Sequence, residues 1–203
     1  MNSTHVPTSR IEAFSDGVIA IITTIMVFDL KLAESTPSEL IAGELLKLLP
    51  KFLSYTFSFL TVATMWVNHH QLFHQIKQTD RRLLWYNIHL LFWMSAVPFG
   101  THFIGTHPFD WQASFLYGAI FLMNAFSFML MRGYVVNQNL LHETISKEAH
   151  MRIRNKNKLA MGLYGAAALL SLISVYISFA ILFLVPAMYF IPEKITHITT
   201  VEE

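Results

Sequence analysis

A carboxylate stands where lipid-facing residues are expected. The run Arg10-Ile11-Glu12-Ala13-Phe14-Ser15-Asp16-Gly17-Val18 leads into an apolar stretch, and Ala13 to Leu32 makes 20 residues. Crossing the hydrocarbon takes about 20 residues of helix. Asp16 therefore lies inside a membrane helix near one end, where an ionisable group is costly unless it faces protein or water. Groups able to meet it come later in the chain. Asn68, His69, His70 and His74 close one apolar segment, and Asn87 and His89 open the next. Imidazole and amide donors are a cheap way to bury a carboxylate. His69 or His70 is expected to contact Asp16, and His74 to sit at headgroup depth.

Other chemistry fits less well. His70 and His74 have the i, i+4 spacing of a metal pair on one helix face. A His-box membrane metalloenzyme needs several such pairs, and no other two histidines stand at i, i+3 or i, i+4. There is no cysteine, which removes thiolate metal sites, disulfides and cysteine nucleophiles. No glycine-rich phosphate loop or serine elbow is present, so no enzyme is expected, and no resident cofactor or metal. A small secondary transporter is the more serious alternative. It would usually show internal repeats and broken helices near the midplane, and the sequence shows neither.

The first helix carries a second pattern. Ile21, Thr24, Ile25 and Phe28 follow i, i+3, i+4, i+7 spacing and share one face. At 100° per residue Asp16 lies about 140° away from Ile21, so the carboxylate and the stripe serve different surfaces. One face can pack through polar contacts while the other lines a path; a lipid-facing or core stripe has the same spacing.

The elements that must position these residues are apolar helices. The chain has 203 residues, of which 54% are hydrophobic and 13% charged. Average globular usage is about 25% charged, so the composition is that of an integral membrane protein in a single domain, 1–203. A net charge of +1 offers no basic field for nucleic acid. Residues 1–9 lack the basic region of a cleaved signal peptide. Six spans are expected, at about 13–32, 50–70, 83–104, 112–131, 158–174 and 176–191. The last two divide a 33-residue apolar run, 159–191, with the turn between Ser171 and Ser178; five spans are the alternative. An amphipathic linker covers about 38–49, and the polar segment 132–158 has the composition to extend its flanking helices. With six spans, one side holds Arg10, Lys77, Arg81, Arg82, Arg132, Lys147, Arg152, Arg154, Lys156, Lys158 and Lys194, which is 11 of the 14 basic residues. Positive residues favour the inside, so both termini are expected to be cytoplasmic.

The residues Arg10, Phe14, Ser15 and Asp16, continued by Gly17-Val18, Ala20-Ile21 and Thr24, resemble the Arg-x-x-x-Phe-Ser-Asp signature of the transmembrane-protein-175 family of potassium channels. Trp66, Asn68 and the pair His69-His70 resemble the end of that family's second helix. Asn87, Pro98 and Phe99 resemble its third. The resemblance implies an all-α membrane protein of six transmembrane helices per chain, bacterial in type. It implies a homotetramer whose first helix lines a central pore in the cell membrane, selective for potassium. Ile21 takes the family's main hydrophobic constriction, with Ile25 and Phe28 at the following rings and Thr24 at a hydroxyl layer. Phe28 departs from the leucine common there. Arg10, Phe14, Ser15, Asp16, Asn68, His69, His70 and Asn87 would form a structural polar network. No Thr-Val-Gly-Tyr-Gly loop offers carbonyl coordination.

Overall fold

Proline and aspartate set the helix starts. The computed structural model describes residues 7–33, 35–142 and 147–189, with the backbone alone for 147–150. Pro7 immediately precedes α1, Thr8–Ile25, which tightens into a 3-10 turn over Met26–Asp29. A 3-10 turn at Ser38–Leu40 opens the short α2, Ile41–Lys47, on the amphipathic linker. Pro50 lies in the first turn of α3, Leu49–His74, where its missing N–H costs nothing. The Asp80 side chain accepts from Leu83 N–H at 2.7 Å and caps α4, Arg81–Ser95. The third apolar segment then breaks. Pro98 cannot bond the Met94 carbonyl, and the chain restarts as α5, Val97–Thr106. The remaining helices are α6, Trp111–Asn137, α7, Lys147–Leu170, and α8, Val175–Tyr189.

The architecture is all-helical among the described residues, apart from one isolated bridge. There Ile76 pairs with Leu141, clipping the α3–α4 loop to the segment after α6. Asn139, at φ 53°, turns the chain back in the left-handed region that asparagine tolerates. Three helical rods, Thr8–Asp29, Arg81–Thr106 and Trp111–Asn137, are long and apolar enough to cross a membrane. A fourth, α3, joins them if it is taken with α2 across a 50° bend. The helix α8 is apolar but short, and α7 is polar through Lys158 before its apolar half. The turn between α7 and α8 falls at Ser171–Ser174. The expected end of the last span, residues 190–191, lies outside the described residues, as do Lys194 and both termini.

The centre of the bundle is α6, which packs against α4, α5, α7 and α8. Small residues let the backbones approach, as expected where lipid removes the hydrophobic drive for helix association. A Cβ on Gly118 would stand 3.1 Å from the Ala168 backbone of α7. A Cβ on Gly100 would meet Ile120 at 2.8 Å, and one on Gly105 would meet Ser54 of α3 at 2.7 Å. Against this body, α1 packs on α3, α4 and α5.

Candidate functional site

The helix α1 is two-faced. Ile11, Ser15, Ile19 and Ile22 are buried, and Met26 continues the stripe. Apolar side chains gain little by exchanging lipid for protein, so polar contacts do much of the positioning. Ser15 is fully buried and donates to the Ile11 carbonyl at 2.8 Å. Its oxygen accepts from Asn87 Nδ2 of α4 at 2.8 Å. Asn87 Oδ1 lies 2.8 Å from His69 Nε2 of α3. Because the Asn87 amide nitrogen is committed to Ser15, its oxygen must accept, and His69 Nε2 carries the proton. One relay of three side chains therefore ties α1, α4 and α3 together. His69 stacks on Phe73 at 4.3 Å, and its Nδ1 is buried with no partner.

The partner of Asp16 differs from expectation. It accepts from Trp66 Nε1 at 2.8 Å, and neither His69 nor His70 holds it. His70 Nδ1 instead lies 2.8 Å from Glu12 Oε1. The two contacts set a register: going from Glu12 to Asp16 on α1 corresponds to going from His70 back to Trp66 on α3. The helices thus run antiparallel, each step being one turn. Asp16 is one residue on from Ser15, hence about 100° around α1, and so reaches the outer flank of α3 rather than its buried His69. Trp66, His70 and His74 stack as a ladder along that flank, at 5.7 and 6.3 Å between ring centroids.

The other expected members of the network stand apart. Asn68 donates to the Thr64 carbonyl at 2.9 Å and lines a small cavity with Asn124 and Asn157. Phe14 and Arg10 are exposed. The opposite side of α1 is uncovered. Ile21 is 61% exposed, Ile25 42% and Phe28 73%. Thr24 shares that face, its hydroxyl donating to the Ala20 carbonyl at 2.8 Å. The hydroxyl lone pairs remain available for a ligand that wants acceptor oxygen.

Sequence reasoning missed the far end of this helix. Thr101 Oγ1 and Ser58 Oγ lie 2.7 Å apart, and Ser58 shares a 2.6 Å bond with the Tyr117 hydroxyl. Beside them Asp29 Oδ1 lies 2.8 Å from His102 Nδ1. Glu12 was missed as well. Its signal was present: it stands four residues before Asp16 on the same helix face.

Comparison with known proteins gives three further findings. The family model described as endosomal/lysosomal potassium channel TMEM175 matches residues 10–98. A potassium channel of Chryseobacterium sp. (strain P1-3) is 35% identical over 185 residues, 91% of this chain and 93% of that one. The crystal structure of a lysosomal potassium-selective channel TMEM175 homolog from Chamaesiphon minutus superposes with a TM-score of 0.76 at 30% identity, covering 90% of this chain and 96% of that one.

Proposed function

The chain belongs to the TMEM175 family, and from that premise we propose that it is a potassium-selective channel of the cell membrane. It works as a homotetramer of six-span chains, with α1 from each lining a central path and both termini cytoplasmic. The observation that carries this reading is the uncovered face of α1. An apolar stripe of Ile21, Ile25 and Phe28 is left bare by its own chain, while the opposite face is fixed by the Ser15–Asn87–His69 relay. A symmetric assembly puts the same helix from each subunit around one axis.

The chemistry is passage rather than turnover. Four Ile21 side chains around an axis make an apolar ring that blocks ions by dewetting. Ions cross when the ring hydrates or widens. Thr24, one turn along the same face, offers neutral oxygens that replace part of an ion's water shell. Neutral oxygens favour the ion that gives up water more easily, which is potassium rather than sodium. Asp16, Trp66, Glu12 and His70 lie off this axis, in the support of the helix. The test is flux through purified protein in liposomes. Potassium efflux well above sodium efflux is expected under equal gradients. Equal flux of both ions, or none above empty liposomes, overturns the reading.

A further inference from the structure

The inner ends of α6 and α7 frame a cleft that the ion path does not use. Its volume is about 200 Å³. Arg132, Gly133 and Asn137 of α6 face Met151, Arg154 and Lys158 of α7 across it. No carboxylate lines it among the described residues. Arg154 and Lys158 stand one turn apart on the exposed side of α7, and neither makes an ion pair among the described residues. Like charges at that spacing repel each other, so the pair is relieved by an anion.

The position of the cleft identifies the anion. Along α6 the chain is apolar through Met131 and turns polar at Arg132. Along α7 it is polar through Lys158 and turns apolar at Leu159, which is exposed. The cleft brings these two boundaries together, which is the level where hydrocarbon gives way to headgroups. The floor is open: a Cβ on Gly133 would meet nothing within 4 Å. Exposed Met151 supplies an apolar rim.

We propose that this cleft binds the phosphodiester headgroup of an anionic phospholipid. Basic pockets between membrane helices on the cytoplasmic side suit such headgroups. The Arg154 guanidinium presents paired N–H donors to phosphate oxygens, and Lys158 adds a point charge. The Asn137 amide reaches the headgroup hydroxyls, and the acyl chains run along Leu159. The assignment to the inner leaflet rests on the cytoplasmic orientation proposed above; the site itself does not depend on ion conduction.

The test uses the full chain, purified in neutral detergent. Phosphatidylglycerol, phosphatidylcholine and inorganic phosphate are added separately, and retention is read by native mass spectrometry alongside the melting temperature. Phosphatidylglycerol is expected to be retained and to raise the melting temperature, and the other two are not. Retention should fall on the order of tenfold or more in Arg154→Gln/Lys158→Gln, since each basic group near the surface adds to the attraction for an anionic headgroup. Gly133→Leu fills the cleft with every charge in place and should lose retention equally, while Lys158→Arg keeps it. Equal retention by wild type, the double variant and Gly133→Leu overturns the site. An equal effect of inorganic phosphate overturns the lipid as its ligand. Potassium flux in phosphatidylcholine liposomes is a separate readout, so failure here and failure of the channel reading are distinguishable.

Discussion

At the scale of single residues, Ile21 and Thr24 separate two properties of one helix face. Ile21 is bare and apolar, so the ring of four proposed above would resist water. Thr24 is bare and hydroxylated, with its proton held by the Ala20 or Ile21 carbonyl and its lone pairs outward. Ile21→Asn wets the ring and should raise unitary conductance. Thr24→Ala removes acceptor oxygens without touching the ring, and should reduce the preference for potassium over sodium with flux largely kept. Reversal potentials and single-channel currents read the two effects separately. If neither substitution changes either quantity, α1 does not line the path and its stripe faces lipid. That the two residues share one face was legible from spacing, and that face is exposed. The partner of Asp16 was not, because it depends on the register between α1 and α3. Only when Glu12 is placed against His70 does Trp66 fall opposite Asp16. The hydroxyls of Ser58 and Thr101 were equally silent. A hydroxyl in a helix can satisfy itself on its own i−4 carbonyl, as Thr101 also does on Val97. Composition cannot say which hydroxyls link helices as well.

At the scale of elements, contact between backbones matters more than side-chain volume. Gly118 of α6 sits against the Ala168 backbone, where a methyl group would stand 3.1 Å from three α7 atoms. Backbone cannot step aside as a flexible side chain does. Gly118→Ala should therefore destabilise the bundle by about 1–3 kcal/mol through overpacking. Gly162, in α7, has nothing within 4 Å of the same added methyl. Gly162→Ala should hold or gain up to about 1 kcal/mol from helix propensity. Thermal unfolding of the two variants in one detergent checks the contrast, and equal destabilisation would refute close α6–α7 packing. The helices lie on the apolar segments read from the sequence, with ends displaced. The helix α1 begins at Thr8 rather than Ala13, because polar residues before a span can wind as well as apolar ones. The break at Ala96 had its signal in Pro98, but 83–104 still reads as one apolar run. Hydropathy measures composition and does not register a missing backbone N–H.

At the scale of the whole molecule, orientation decides which way each surface faces. The basic residues divide 11 to 3 between the two sides of a six-span chain. On the orientation proposed above, the α6–α7 cleft and the Glu12–His70 contact would face the cytoplasm, and the Asp29–His102 contact the outside. Single cysteines test it, helped by the lack of native cysteine. Ser3 and Thr200 serve for the two termini. For the outer end of α5 and the loop that follows it, Gly105 in the last turn of α5 is a poor site, since a side chain there collides with Ser54 and Lys51. Phe109 is 72% exposed in the same connection and takes its place. An impermeant thiol reagent applied to intact cells should label Phe109→Cys and leave Ser3→Cys and Thr200→Cys unreacted until the membrane is opened. The outcomes are tightly constrained, because each span moves the chain to the other side. Labelling of Thr200→Cys without Ser3→Cys means an odd number of spans, and the five-span alternative, with 159–191 crossing once, would then hold. Labelling of both termini without Phe109→Cys keeps six spans but inverts them, which would move the basic cleft to the outer leaflet.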